Sequence, residues 1–447
     1  MTAFVTLVLV LVPLVIVARG TWAVVRFARL SPAAKRHYPL AVLARLRWRW
    51  LARNQELAYI DSHRPRAFHP RVGTKVKVRV DGQREHAWLR FPRARFRPDD
   101  FGIVARVKTV PRSGHRADFE RAAPYIADAW RCCRVQVSQP KPGRIVLRGL
   151  RRDPLLEPFG QDQAPPGAFG RTGVANPLRL YVGLDAWAQH RWVSLPGCTG
   201  ITVAGLPGRG KTELVRSWLT QLDPLPAKFG IIDGKAPYLP TSDYADFSDR
   251  AWIFTGDDLE AAADALNEMY QEMRRRFASV LELTGGKRNA WHVGPTEAMP
   301  LCFNVLDEVS TFFNEDAVKG DAKKVSQVRA CRSLAGHLVG KGRSVLMLTI
   351  TLSQKQDTSA TNLAVRDNSG IAISFAVKTV DAAVSALGAS IRDFPSLSPV
   401  QLQDDAYIGC CVATIASGSD PFTQIRVPEL TPQAARQRSP EYAGAGA

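Results

Sequence analysis

Cysteine is scarce in this sequence, and no two cysteines have the spacing of a zinc site. Seven cysteines occur in 447 residues, and two pairs of them are adjacent, Cys132 with Cys133 and Cys410 with Cys411, but none forms a C-x-x-C motif. This pattern excludes a disulfide framework and a zinc module of the common kind. We therefore expect most of the chain to work in a reducing compartment with free thiols. The sequence also shows no internal repeat, which excludes a repeat array.

Acidic residues are scarce in the first third of the chain. Residues 1–152 contain 32 Lys and Arg but only 9 Asp and Glu, whereas residues 153–447 contain 28 basic and 32 acidic residues. The basic character therefore belongs to the N-terminal third, where it suits the phosphate backbone of a nucleic acid or an anionic membrane surface. A surface that only increases solubility is the alternative.

Charge is absent from residues 2–18, TAFVTLVLVLVPLVIVA. A helix of this length spans about 25 Å, which is short for a bilayer but sufficient with flanking residues. No basic residue precedes the run, and Arg19, Arg26 and Arg29 follow it, the reverse of a secretory signal. We predict a single-pass anchor in the cell membrane over residues 1–30, with the rest of the chain in the cytoplasm. A buried core helix and an oligomerisation segment are the alternatives.

Residues 31–100 are predicted to form a basic juxtamembrane region. A helix within them carries Trp48 and Trp50 among arginines, and it fits either the membrane surface or an ordinary domain. Residues 101–155 read as a strand, a helix and two strands joined by the turn PKPG, which predicts a small α+β domain.

Strands and helices alternate from residue 175 onwards, which predicts an α/β fold with a mostly parallel sheet. We assign residues 175–430 to this domain and the preceding residues 156–174, rich in Gly and Pro, to a linker. Residues 431–447 have no pattern of a core and are predicted to be a disordered tail.

The stretch GLPGRGKT has the G-x-x-x-x-G-K-T pattern of a phosphate-binding loop, between a predicted strand and a predicted helix. In such a loop the backbone N–H groups surround the phosphates, Lys211 reaches the β- and γ-phosphates, and the Thr212 hydroxyl binds Mg²⁺. The predicted nucleotide-binding residues are Gly205, Leu206, Pro207, Gly208, Arg209, Gly210, Lys211, Thr212 and Glu213.

Two carboxylates follow the apolar strand CFNVL. We predict that Asp307 holds Mg²⁺ through water and that Glu308 polarises the attacking water. The alternative is a strand that happens to end in acids. Asp307 lies 96 residues after Lys211, which leaves room for two intervening strands and favours a RecA-like P-loop ATPase. Gln354, after the following strand, is a candidate sensor of the γ-phosphate.

Together these motifs resemble the FtsK/SpoIIIE family of hexameric DNA translocases, over about residues 101–430. The family's DPK motif resembles Asp233-Gly234-Lys235, and its EMERRY helix resembles EMRRRF, Glu272 to Phe277. Its strand before the sensor resembles GRSVLMLTITLSQKQ, and its RIAFxV strand resembles GIAISFAV. The chain departs from the family at Arg209, where the loop usually reads TGSGKS, and at SQKQ, where the family has TQRP.

The resemblance implies ATP and Mg²⁺ as cofactors and a homo-hexamer with ATP between subunits. Arg343 matches the arginine that reaches into the neighbouring subunit's site, and Arg366 is a second candidate. A further basic cluster either lines a DNA channel or forms a solvated helix face; its members are Lys319, Lys323, Lys324 and Arg329.

We therefore predict a membrane-anchored, ATP-driven translocase of double-stranded DNA, most similar to actinobacterial TraB-type conjugative transfer proteins, with other transfer proteins as further partners. Three alternatives remain open. These are a protein-secretion ATPase of the type VII kind, a chromosome segregation translocase, and a structural coupling factor with a weakened ATPase.

Overall fold

The computed structural model describes Thr21, Val24, Val25, Ala168 and residues 27–61, 74–80, 83–109, 115–165, 179–354, 362–416 and 420–430. The predicted membrane span at 2–18 and the predicted tail at 431–447 lie outside these residues. Within the described part, no helix has both the length and the apolar character that a bilayer span requires. The chain divides into two compact units, residues 1–153 and 154–447.

The first unit is an α+β domain with two antiparallel sheets, ordered β1-β3-β2 and β4-β5-β7-β6. Its elements are α1 (Pro32–Asn54), β1 (Tyr59–Asp61), β2 (Thr74–Val80), β3 (Gln83–Arg90), β4 (Arg93–Pro98), β5 (Gly102–Lys108), α2 (Arg116–Trp130), β6 (Arg134–Lys141) and β7 (Arg144–Leu150).

Aromatic packing joins α1 to the predicted strand-helix-strand-strand unit. The Trp48, Phe96 and Trp130 rings lie with centroids 5.7–6.5 Å apart, and the Trp48 indole donates a hydrogen bond to the Pro92 carbonyl at 2.8 Å. Trp48 and Trp130 are both buried. The domain therefore begins well before residue 101, because α1 and β4 supply part of its core.

The second unit is built around one ten-stranded sheet ordered β12-β11-β13-β14-β10-β15-β16-β17-β8-β9. Its strands are β8 (Arg179–Asp185), β9 (His190–Ser194), β10 (Gly200–Ala204), β11 (Ala227–Asp233), β12 (Ala251–Thr255), β13 (Leu301–Asp307), β14 (Met347–Ser353), β15 (Ile371–Phe375), β16 (Cys410–Ala413) and β17 (Thr423–Arg426). Its helices are α3 (Lys211–Leu222), α4 (Leu259–Leu283), α5 (Ser310–Phe313), α6 (Ala322–Lys341), α7 (Leu363–Asn368) and α8 (Val380–Leu387).

The six strands from β12 to β15 are parallel, and the remaining four extend the sheet in antiparallel fashion. Parallel strands covered by helices on both faces need apolar residues throughout. β13 shows this clearly, because all seven of its residues are buried. The predicted α/β fold with a mostly parallel sheet is therefore confirmed, with an antiparallel extension that the sequence did not suggest.

The described part of the predicted linker packs onto the second unit. Phe159 of the linker is buried, and so is Leu155, the last residue predicted for the small domain, whose carbonyl accepts a hydrogen bond from the Cys410 thiol at 3.2 Å. Phe159 packs with Tyr181. This stretch is therefore an integral part of the α/β domain up to about residue 165, because its apolar side chains have a place in that core.

Candidate nucleotide-binding site

Four neighbouring strands place the predicted site residues at one edge of the sheet. β10 is followed by the phosphate-binding loop, β11 ends at Asp233, β13 ends at Asp307, and β14 is followed by Gln354. Because these strands are parallel and adjacent, their carboxyl ends lie at the same edge. Ligands of open α/β sheets bind at this edge.

The phosphate-binding loop depends on glycine at its start. Gly205 has φ +140°, and a Cβ added there would lie 2.7 Å from the Cβ of Phe375. Gly210 has φ +107° and leads directly into α3, which begins at Lys211. The loop therefore presents backbone N–H groups and the positive end of a helix dipole to the same space, an arrangement that binds phosphates.

Lys211 lies folded into the loop. Its ammonium group donates hydrogen bonds to the carbonyl oxygens of Gly205 at 2.7 Å and Leu206 at 2.9 Å, and the residue is only 4% exposed. Burial, together with the nearby charge of Lys235, lowers the pKa of Lys211 to about 8. A phosphate bound in the loop would add negative charge beside Lys211 and favour its charged form. The electrostatics of the site therefore favour the binding of an anion.

Lys235 bridges the two residues predicted to hold magnesium. Its ammonium nitrogen lies 3.3 Å from the Thr212 hydroxyl oxygen and 3.0 Å from both carboxylate oxygens of Asp307. Asp307 is 1% exposed. A buried carboxylate and a hydroxyl that already share a cation are hard oxygen donors in the right place for Mg²⁺. The residues present therefore fit the ion.

Two further groups fix the Asp307 carboxylate. The Tyr244 hydroxyl donates a hydrogen bond to it at 2.8 Å, and the backbone N–H of Glu308 donates another at 2.7 Å. Neighbouring Asp233 accepts a hydrogen bond from the Ser242 hydroxyl at 2.6 Å, and burial raises the pKa of Asp233. Sequence reasoning missed Tyr244, since it lies in the loop after β11 with no motif to mark it.

Glu308 is held in an unusual backbone conformation with φ +50°. One carboxylate oxygen accepts a hydrogen bond from the Ser310 hydroxyl, whereas the other, Oε2, is buried and has no hydrogen-bond partner among the described residues. A non-glycine residue at positive φ and an unsatisfied buried acceptor are both costly, and both are typical of functional sites. This geometry suits a group that accepts a proton from water.

The side chains of two predicted nucleotide-binding residues contact other parts of the chain. The Arg209 guanidinium lies 3.1 Å from the Asp405 carboxylate and 3.3 Å from the Asp404 carbonyl, to which it donates. Glu213 accepts a hydrogen bond from the backbone N–H of Leu430 at 3.0 Å. Both side chains are therefore engaged by residues outside the phosphate-binding loop in this structure.

Gln354 and Arg343 lie at opposite ends of β14. Gln354 directly follows the strand, whose last residue Ser353 pairs with Ala204 before the phosphate-binding loop. Arg343 is exposed in the short 3₁₀ turn Gly342–Val345 that precedes the strand. Arg343 is thus at the far edge of the sheet and outside the site of its own chain.

The EMRRRF motif fixes the segment that carries Arg343. Buried Arg276 donates hydrogen bonds to the carbonyls of Pro300 at 2.7 Å and Val345 at 3.1 Å. Glu272 binds the same guanidinium at 2.9 Å. Arg276 therefore fastens α4 to the turn before β14 through hydrogen bonds to backbone carbonyls, and Glu272, one turn earlier on the same helix, orients its guanidinium.

The basic cluster on and before α6 is largely paired with acids at the surface. Lys319 contacts Asp316 at 2.5 Å, and Lys323 contacts Glu260 at 2.9 Å. Arg329 contacts Glu315 at 3.1 Å. The second arginine-finger candidate, Arg366, contacts its neighbour Asp367 at 2.9 Å. Such exposed pairs are weak, so these charges remain available to a competing phosphate.

Comparison of the sequence with protein-family models and with curated proteins gave no match. Among solved structures, the pCW3 conjugation coupling protein TcpA, in its monomer form with ATPγS, is similar over 76% of this chain and 89% of its own, with TM-score 0.52 and 14% identity. The cytoplasmic domain of the Thermomonospora curvata type VII secretion ATPase EccC is similar over 60% of this chain and 30% of its own, with TM-score 0.42 and 19% identity. The chain therefore shares the fold of a conjugation coupling protein, in agreement with the resemblance of its motifs to the FtsK/SpoIIIE family.

Proposed function

We propose that this protein is a membrane-anchored, homo-hexameric ATPase that moves double-stranded DNA during conjugative transfer. The observation that carries the proposal is the meeting of the phosphate-binding loop, Thr212, Asp307, Lys235 and Glu308 at one edge of the sheet. The fold shared with a protein named as a conjugation coupling protein supports the choice of conjugation.

In the proposed mechanism each side chain has a separate task. Lys211 turns from the loop carbonyls to the β- and γ-phosphates. Thr212 and Asp307 would hold Mg²⁺, which would neutralise charge on the phosphates. Glu308 takes a proton from the attacking water through its unpartnered carboxylate oxygen. Arg343 from the neighbouring subunit completes the site by stabilising charge on the γ-phosphate.

The DNA contacts are proposed to be mainly to phosphates, because the basic residues are clustered in sequence and those whose side chains the structure describes are mostly exposed. The excess of 32 basic over 9 acidic residues in positions 1–152 and the paired lysines near α6 supply such contacts. Binding would then be weakly dependent on sequence and strongly dependent on salt. The apolar run at 2–18 supports attachment to the membrane.

ATP hydrolysis measured with and without duplex DNA tests the proposal. We expect hydrolysis that duplex DNA stimulates and that Lys211→Ala abolishes. Hydrolysis without any response to DNA would argue against a DNA translocase and favour a secretion motor. Hydrolysis near zero in both the wild type and Lys211→Ala would favour a coupling factor without a motor.

Mixing two inactive variants tests the role of Arg343 in the neighbouring subunit. Arg343→Ala retains Glu308, and Glu308→Gln retains Arg343, so mixed oligomers contain some complete sites. We expect each variant alone to hydrolyse ATP at least about 100-fold more slowly than the wild type and the mixture to recover part of the activity. A mixture as inactive as its components would refute action between subunits. Arg366→Ala serves as the matched control, because it removes the other candidate arginine.

A further inference from the structure

Helix α1 of the first unit has two apolar faces, and only one of them is buried. The buried face packs into the domain through Ala44, Trp48 and Leu51. The opposite face carries apolar side chains that are exposed to solvent. Their exposed fractions are 42% for Val42, 36% for Leu43, 75% for Leu46 and 62% for Trp50.

The exposed apolar residues form a continuous stripe. Val42, Leu46 and Trp50 are four residues apart and therefore lie one above the other along the helix. Arg45 and Arg49 flank this stripe on one side and Arg47 flanks it on the other, all three exposed. Trp48 and Trp50 are two residues apart and therefore lie on different faces of the helix, one buried and one exposed. Arginines border the exposed stripe on both sides.

We propose that this stripe, Val42–Leu43–Leu46–Trp50, lies against the surface of a bilayer of anionic phospholipids. An exposed apolar stripe bordered by basic side chains is the pattern of a helix that lies in a membrane interface. The aliphatic parts of the arginines lie along the apolar surface while their guanidinium groups reach the lipid phosphates. A tryptophan at the headgroup level is typical of such helices.

Charge and chain length support this partner over others. The first acidic residue of the sequence is Glu56, so nothing before it repels an anionic surface. Residue 18, the end of the apolar run, is separated from the start of α1 at Pro32 by a segment that reaches at most about 50 Å when extended. A duplex DNA would contact the arginines but would leave the stripe exposed to water.

The inference rests on the proposed attachment to the membrane and adds a second contact to it. Flotation of the full chain with vesicles tests attachment alone, and hydrolysis of ATP tests the motor. The contact of the stripe with lipid requires a signal from Trp50 itself. A negative result for this contact is then distinguishable from a failure of membrane attachment or of ATP hydrolysis.

Quenching of tryptophan fluorescence by brominated lipid gives that signal. The full-length protein is reconstituted in vesicles of phosphatidylglycerol and brominated phosphatidylcholine, and the contribution of Trp50 is the difference between the wild type and Trp50→Phe. We expect this difference to be quenched at least about twofold relative to vesicles without bromine, because the ring lies at the headgroup level. Quenching should weaken in vesicles of brominated phosphatidylcholine alone, which lack the anionic lipid.

Leu46→Glu should remove the quenching of Trp50, because it places a negative charge in the stripe. Val380→Glu is the matched control, since Val380 is 51% exposed on α8 of the other unit. The Trp50 signal of the Val380→Glu variant should stay quenched. A Trp50 contribution that is unaffected by brominated lipid would overturn the proposal. So would a Leu46→Glu variant that keeps the quenching but loses affinity for duplex DNA, which would assign the stripe to DNA.

Discussion

Replacing Lys235 by methionine isolates the role of the cation between Thr212 and Asp307. Removing one partner of a fully buried ion pair costs about 3–5 kcal/mol. Here the side chain of Lys235 is 28% exposed, and Asp307 keeps its hydrogen bonds from Tyr244 and the Glu308 backbone. We therefore expect Lys235→Met to lower the free energy of unfolding of the metal-free protein by about 1–2 kcal/mol.

The assay is thermal unfolding in EDTA and in Mg²⁺. For a domain of this size, about 1–2 kcal/mol corresponds to a decrease in Tm of roughly 2–3 °C. Mg²⁺ should restore most of that decrease in Lys235→Met and change the wild type much less, because in the wild type the lysine already neutralises Asp307. Lys324→Met is the control for loss of an exposed lysine on α6. Equal Tm values for Lys235→Met and the wild type in EDTA would refute the reasoning, as would an equal response to Mg²⁺.

Three other substitutions test separate parts of the structure. Although burial raises it, the hydrogen bond from Arg276 and the charge of Lys228 hold the pKa of Glu272 below its ordinary value of 4.5. A lowered folded pKa stabilises the protein above the unfolded pKa. Glu272→Gln should therefore cost up to about 1 kcal/mol at pH 7 in urea unfolding, and the difference should shrink as the pH falls below 4.5; a constant difference would contradict this. Arg209→Ser should leave nucleotide affinity within about twofold in a titration, because the side chain contacts Asp405, which is 85% exposed; a tenfold loss would show that Arg209 turns to the phosphates. Gly205→Ala should destabilise the domain by roughly 1–3 kcal/mol and abolish nucleotide binding, because its Cβ would collide with Phe375; normal binding would contradict the loop geometry.

The residues that follow strands were predictable from sequence, because a buried strand has an apolar pattern and its polar end is visible. Asp307 and Glu308 are found in this way, Lys211 and Thr212 by the pattern of the phosphate-binding loop, and the structure brings their segments to one edge of the sheet. The packing of α1 was less predictable, since its two apolar faces produce no clean amphipathic pattern. Trp48 belongs to the core and Trp50 to the surface, so the helix fits both an ordinary domain and an exposed interface.

Contacts between residues far apart in sequence were beyond prediction. The Lys235 bridge and the Tyr244 hydrogen bond depend on how the loop after β11 folds back over Asp307, and no spacing rule encodes that. Arg209 meets Asp405 across 196 positions of the chain, so its side chain could only be assigned from the folded structure. The motif Asp233-Gly234-Lys235 resembles a family signature, but only the distances in the folded structure show that Lys235 places its cation between Thr212 and Asp307.

β14 has a consequence for timing in an oligomer. Its seven residues extend about 23 Å through the middle of the sheet, with Gln354 at the edge that carries the candidate nucleotide site and Arg343 at the opposite edge. A strand with six of its seven residues buried, flanked by β10 and β13, is stiff, so a small displacement at one end appears at the other with little loss. In the proposed hexamer, departure of the γ-phosphate from one subunit would thus shift Arg343, which is proposed to complete the neighbouring site. Neighbouring subunits of such a ring would then hydrolyse ATP one after another. The direction of this order around the ring would be set by the polarity of β14.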